Sequence, residues 1–258
     1  MVYRPLRYEQ MMRAAESYDV RARRMFNGMG IYTGEKMFAY LYDEDYAARF
    51  TREWIEAVER DVNHPSIIMW IPINESWGVS DVADTRQTQH LKALYHLTKS
   101  LDATRPVIDN DGWEHTDTTD LFGIHDYAAR GERLVEKYSV LSRKEFDFPG
   151  NGRAALAPGF KYNGSPVFLS EFGGIAYPLP GSPVPADAWG YAGVEKSPEA
   201  ALDRMRSLYV GIAKIPQIMG ICYTQLTDVE QEINGLLTYD RKPKFDLKTM
   251  REINALLQ

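Results

Sequence analysis

The sequence predicts an α/β domain built on a parallel, barrel-like sheet, and three observations carry that expectation. Short apolar runs alternate with segments of helical period, which is the pattern of βα units. Two of those runs end abruptly in a glutamate, Glu75 and Glu171, where parallel barrels deliver their chemistry, at the C-terminal rim. The 258 residues, 44% of them hydrophobic, suffice for a single barrel-sized domain with a substantial core.

The elements follow in order along the chain. A βα unit takes about 30 residues, so three complete units do not fit before Ser66, and only 25–32 and 36–42 offer strand-like material there. The sheet is therefore expected to be incomplete or divergent in its first strands. Residues 1–45 are read as a divergent or remnant segment and 46–258 as the barrel portion of one domain. Ala47, Phe50, Trp54 and Val58 recur at helical spacing, as do Leu91, Leu94, Tyr95 and Leu101, and then Ala201, Met205, Leu208 and Ile212. Each set marks the buried face of a helix. Between them, the apolar runs 66–73, 106–109, 121–125, 166–170 and 219–224 read as strands buried on both faces. Two irregular stretches, 128–165 and the proline-rich 174–198, are long enough to shape a binding cleft or to be poorly ordered.

Composition narrows the function. A formal net charge of -6 with no long basic run argues against a phosphate-binding surface and hence against nucleic acid. The single cysteine, Cys222, excludes an intrachain disulfide and a multi-cysteine zinc site, and its place in an apolar run reads as a small core residue. No run of 18 apolar residues occurs, and the opening MVYRPLRYEQ lacks the apolar stretch of a signal peptide, so a cytoplasmic protein with no membrane partner is expected. His64, His90, His96, His115 and His125 show no ligand pair at i, i+4, which disfavours a catalytic metal. No cofactor is expected. Neither a G-x-S-x-G elbow nor a phosphate-binding glycine loop is present, which sets aside a serine hydrolase and a nucleotide enzyme.

The chemistry is concentrated in two segments. In NHPSIIMWIPINESWG an apolar strand ends in Asn74-Glu75, followed by Ser76-Trp77-Gly78. In PVFLSEFGG a second apolar strand ends in Glu171, with glycines beyond it, where backbone can approach a ligand. Two such carboxyl groups suit glycoside cleavage, in which one protonates the leaving oxygen and the other handles the anomeric carbon. Asp109, Asn110, Asp111 and Trp113 follow the next strand, His125 and Tyr127 the one after, and Tyr223, Gln225 and Asp228 the last. Aromatic faces suit the apolar side of a pyranose, and amides and carboxylates its hydroxyls. Each of these rim residues is a candidate sugar contact, with packing or loop fixing as the alternative. Tyr127 is the candidate for holding Glu171 ionised, since a hydrogen bond to the charged form lowers a carboxyl pKa.

These two segments resemble the acid/base signature and the nucleophile strand of glycoside hydrolase family 2, which contains β-galactosidases, β-mannosidases and β-glucuronidases. The resemblance continues through DATRPVIDNDGWEHTDTTDLFGIHDY and ICYTQLTDVEQEINGLLTYDRKPK, so it spans about 46–245. It implies a (β/α)8 TIM-type barrel with Glu75 as acid/base on the fourth strand and Glu171 as nucleophile on the seventh. It also implies a hydrogen bond from the Asn74 amide to the sugar 2-hydroxyl and leaves room for a structural cation whose ligands are not identified; Trp77, two residues after Glu75, is a further candidate substrate contact. The family's β-sandwich and immunoglobulin-like domains have no counterpart before the barrel here, nor do its early strands. The β-glucuronidase branch carries Asn-x-Lys near its last strand, whereas the matching Glu232-Ile233-Asn234-Gly235 lacks the lysine. A neutral terminal sugar is therefore expected, cleaved with retention by a β-galactosidase-like double displacement. The competing expectation is a non-catalytic or partner-dependent carbohydrate-binding fragment, because missing strands leave an open sheet edge that invites a second copy or a complementary chain.

Overall fold

The structure is a computed structural model that describes residues 9, 12–13, 20–25, 28–33, 36–42, 46–79, 81–138 and 152–257. Its first layer is an antiparallel sheet of β1 (Val20–Met25), β2 (Gly28–Thr33) and β3 (Lys36–Tyr42), in that order. The stretch 25–32, read as one strand from its sequence, is divided between β1 and β2, because the pairing of Met25 with Gly28 closes a hairpin. These strands form a meander with no intervening helix, so the N-terminal segment is not a set of βα units.

The remainder is β/α in order. Helix α1 (Tyr46–Asp61) precedes an extended segment, 70–74, that pairs in parallel with 107–111 through Trp70 with Val107 and Asn74 with Asp111. Helix α2 (Thr85–Leu101) connects the two. Asp84 caps α2 by accepting a hydrogen bond from the Arg86 amide at 2.9 Å, satisfying one of the orphan donors of a first turn. A parallel sheet of β4 (Phe122–Asp126), β5 (Val167–Gly173) and β6 (Ile218–Thr224) follows. Helix α3 (Gly131–Tyr138) lies after β4, α4 (Pro198–Ile212) between β5 and β6, and α5 (Leu247–Asn254) after β6. Ser197 caps α4, with Pro198 at its first position, where the missing N–H costs nothing.

Two side-chain bridges tie the 107–111 strand to the sheet. Ser170 Oγ donates to Asp111 Oδ1 at 2.5 Å, and His115 Nε2 lies 2.7 Å from the Gly123 carbonyl. The 70–74 and 107–111 segments and the sheet thus bring Glu75, Asp111, His125 and Glu171 together at their C-terminal ends. The larger core lies behind them, where Phe122, Ile124, Leu169 and Phe172 of the sheet meet Leu134 of α3 and Met205 and Leu208 of α4. A smaller one joins Ile73, Leu91 and Leu94 with Phe50 and Trp54. The helical periodicities at Val58, Leu91, Leu94, Ala201, Met205, Leu208 and Ile212 all fall on buried faces.

Two expectations are corrected. The stretch 128–165 contains α3 and is not irregular throughout; its residues 139–151 lie outside the described residues. Cys222 is exposed rather than buried, because β6 ends the described parallel sheet and carries Met219, 68% exposed, on the same strand. Among the described residues, no helix is long and apolar enough to cross a membrane.

Candidate active site

Glu75 leaves the end of the first parallel strand in a left-handed turn: Glu75 has φ 54° and Ser76 φ 59°, a region that non-glycine residues enter only at a cost. The turn is held by Asn110, whose Oδ1 accepts from the Ser76 amide at 2.9 Å and whose Nδ2 donates to Ser76 Oγ at 3.0 Å. Ser76 Oγ in turn donates to Glu114 at 2.5 Å, and Glu114 accepts two hydrogen bonds from Arg153. The general consequence is local: the backbone itself aims the Glu75 carboxyl over the strand ends.

Glu171 comes from β5, directly paired in register with His125 of β4. A carboxylate oxygen of Glu75, one of Glu171 and a ring nitrogen of His125 all lie within 4.8 Å of one another. At that spacing the imidazole and the two carboxyl groups are in direct reach of one another. His125 Nδ1 is 2.8 Å from Glu75 Oε1 and 3.4 Å from Glu171 Oε2, while Nε2 lies 3.3 Å from Asp111 Oδ2. Burial pushes the His125 imidazole down, but Asp111, Glu75 and Glu171 outweigh it and raise the pKa to about 9. Opposite charges at this range favour the charged form.

Tyr127 donates its hydroxyl to Glu171 Oε2 and lies flat against Tyr191, ring centroids 3.4 Å apart and 4° from parallel. Tyr191 belongs to the 174–198 loop, and Trp189 meets it edge-on at 5.2 Å. Gly174 makes room for the pair, since a Cβ there would lie 2.3 Å from the Tyr191 ring and 2.9 Å from that of Tyr127. Burial raises the Glu171 pKa, against the opposing pull of the His125 charge and the Tyr127 hydroxyl. The Tyr127 hydroxyl is itself raised, by burial and then by the Glu171 charge, and so remains a donor.

The other residues singled out from the sequence divide. Asn74 is exposed beside Glu75, and Trp77 is 42% exposed on the same turn. Trp113 is buried, its ring edge-on to His125 at 5.7 Å and under the Arg153 guanidinium at 5.7 Å. His125 is fully buried among the carboxylates. Asp109 and Asn110, read as candidate sugar contacts, turn inward instead. Asp109 accepts from the Asn110 and Thr116 amides and the Thr116 hydroxyl and sits 2.8 Å from His115 Nδ1. Both are fully buried and hold the neighbouring turns through these bonds. Tyr223 packs its ring against Phe172 and beneath Gly173. Gln225 holds Asn234 at 2.8 Å, and Asp228 accepts from Lys244 at 2.6 Å, so both organise the loop after β6. Tyr191, Trp189 and Arg153 carry no signal in the sequence, since a Trp-Gly-Tyr in a long loop and one arginine among many have no periodicity.

Residues 15–174 match the description "Glycosyl hydrolases family 2, TIM barrel domain". The chain belongs to glycosyl hydrolase family 2. Among curated proteins it is 37% identical over 114 residues to a β-galactosidase of Alteromonas mediterranea, covering 43% of this chain and 10% of that protein. A β-galactosidase of Pseudoalteromonas haloplanktis is 32% identical over 118 residues, 44% of this chain and 10% of its own length. The matched segments thus span about a tenth of these relatives. Among solved structures, a family 2 β-galacturonidase of Eisenbergiella tayi superposes with a TM-score of 0.59 at 17% identity, covering 83% of this chain and 38% of that one. A β-glucuronidase of Faecalibacterium prausnitzii gives 0.56 at 19% identity, with 81% and 34% covered. At those identities the likeness shows the fold, a TIM-type barrel represented here by part of its strands.

Proposed function

We propose that this family 2 chain carries the catalytic face of a retaining β-glycosidase that removes a terminal neutral sugar, with Glu171 as nucleophile and Glu75 as acid/base. The observation that carries the reading is the approach of the two carboxyl groups to within 4.8 Å by their nearer atoms. Retaining enzymes hold their carboxyl groups about 5–5.5 Å apart, too close for the intervening water that inversion uses. In the first step Glu171 attacks the anomeric carbon while Glu75 gives a proton to the leaving oxygen. In the second, Glu75 takes a proton from water as the glycosyl ester is hydrolysed. The Tyr127 hydroxyl favours the attacking carboxylate, and exposed Asn74 and Trp77 stand where a sugar entering the rim would meet them.

A neutral sugar is supported by the charge around the site. Where an acidic sugar would need a cation, the half-buried Glu232 accepts a hydrogen bond from Asn234 at 3.0 Å and its charge reaches Tyr191. The curated relatives bear the name β-galactosidase, which directs the first assays to aryl β-galactosides. The reading calls on a carbohydrate partner and on no cofactor, in a cytoplasmic setting, and leaves the open sheet edge to a second copy or a complementary chain.

The test is turnover of a panel of neutral aryl β-glycosides by the parent chain, Glu171→Gln and Glu75→Gln. Glu171→Gln is expected to lose turnover. Glu75→Gln is expected to keep the first step on a good leaving group and to slow deglycosylation. Equal activity in Glu171→Gln and the parent would reject the nucleophile. One observation favours a second reading, a non-catalytic or partner-dependent carbohydrate-binding fragment: β6 ends the described sheet with Met219 and Leu226 exposed at or beyond it. A folded monomer that binds sugars without cleaving any of the panel would favour it.

A further inference from the structure

Resting on the assignment of Glu75 and Glu171 above, we propose that His125 is a positioning residue that shares one proton with Glu75, storing as an imidazolium the proton that Glu75 delivers to the leaving oxygen. Three features carry this. His125 Nδ1 is 2.8 Å from Glu75 Oε1, close enough for direct transfer. The ring is wholly buried, so its proton has no direct path to bulk water. It also faces a carboxylate from each of three neighbouring strand ends: Glu75, Asp111 from the 107–111 strand and Glu171 from β5. The Trp113 ring edge covers a further side without charge, and His115, coupled to Asp109 and Asp111, lies beyond.

The proton balance is simple. Before reaction the Nδ1–H bond of His125 breaks and an O–H bond forms on Glu75, leaving neutral imidazole and neutral acid. Glu75 then transfers that proton to the glycosidic oxygen as the C–O bond breaks and the Glu171 ester forms. In deglycosylation the water proton goes to Glu75 and returns to Nδ1, restoring the imidazolium. With the proton held between two groups 2.8 Å apart, the alkaline limit of acid catalysis belongs to the pair.

The sign of a pH shift separates this arrangement from a merely structural histidine. If His125 stores the proton, the acid function persists up to the high pKa of the imidazole, about 9. His125→Asn, which keeps an N–H donor but cannot titrate, then leaves Glu75 alone, and the alkaline limb of kcat/KM moves to lower pH. If His125 is only a fixed cation, its removal withdraws a positive charge from beside the acid and the limb moves up.

The experiment measures pH profiles of the parent chain and His125→Asn on an alkyl and a dinitrophenyl β-glycoside, with Glu171→Gln as control. The limb is expected to fall by about one pH unit or more with the alkyl leaving group, an approximately tenfold loss at pH values above both limbs, and to change little with the dinitrophenyl one, which needs no proton. A limb that stays or rises, or an equal loss on both substrates, overturns the proposal while leaving the nucleophile and acid in place. An active Glu171→Gln overturns the underlying assignment instead. Imidazole nitrogen NMR gives a readout free of turnover: both His125 nitrogens are expected to be protonated at pH 7.5 in the parent, with titration lowered in Glu75→Gln. A neutral His125 in the parent at that pH, or a titration indifferent to Glu75→Gln, also overturns it.

Discussion

Gly131 and Gly211 meet backbone to backbone where α3 packs on α4: a Cβ on Gly211 would lie 2.5 Å from the Gly131 carbonyl oxygen, and one on Gly131 only 1.9 Å from that of Ser207. Helix propensity alone favours Gly211→Ala by about 1 kcal/mol. Here neither contact partner is a flexible side chain that can swing away, and overpacking a core costs about 1–3 kcal/mol. The clash is expected to win, so Gly211→Ala should unfold several degrees below the parent in a thermal melt. A variant as stable as the parent or more so would show that the two helices slide apart freely.

Tyr127→Phe removes a donor from the ionised form of Glu171. Its carboxyl pKa, already raised by burial, should rise further. The nucleophile works as the anion, so the acid limb of kcat/KM is expected to shift upward by about one pH unit, an approximately tenfold loss on the acid side. Superimposable acid limbs would contradict the role given to this hydroxyl.

Asp102 is buried and accepts from Trp70 at 2.8 Å, Arg105 at 2.7 Å and the Thr104 amide at 2.9 Å. Burial pushes its carboxyl up, but the bonds from Thr104, Trp70 and Arg105 prevail and hold it well below the usual range. Because the folded-state pKa is depressed, the stabilisation is fully present above the unfolded value of about 4 and fades as pH falls below it. Asp102→Asn should cost about 2–4 kcal/mol at pH 7 by denaturant titration. The gap between the two proteins should narrow as the titration is repeated toward pH 3. A gap independent of pH would assign the effect to packing alone.

Asn110→Ala withdraws the two bonds from Asn110 to Ser76 and leaves the one to Glu114. Misplacing a catalytic group by about 1 Å costs on the order of a hundredfold, so kcat/KM should fall by about that factor while the circular dichroism spectrum is retained. Unchanged kinetics would show that the turn holds itself.

Much of this was legible in the sequence where a residue's neighbours along the chain decide its environment. Phe50, Trp54 and Val58 recur on one face of α1, and the run ending at Glu171 is a buried strand, whereas the run 66–73 joins the sheet only from Trp70 and leaves Ile68 67% exposed. Helix α3 was not legible, since eight residues with Leu134, Val135 and Tyr138 among five charged or glycine positions give too short a period to count. Asp109 and Asp111 look alike in Asp-Asn-Asp, yet one is used by His115 and Thr116 and the other by Ser170 and His125. That difference is fixed by residues on other strands. The exposure of Cys222 is hidden for a related reason: an apolar strand looks buried in sequence whether or not another strand follows it in space.

The left-handed pair at Glu75 and Ser76 also bears on protein engineering. The orientation of the carboxyl is written in dihedral angles that the amide of Asn110 maintains from another strand. Transplanting the segment Asn74 to Gly78 into a foreign scaffold would therefore carry over the letters without the aim, unless the 110–114 loop travelled with it.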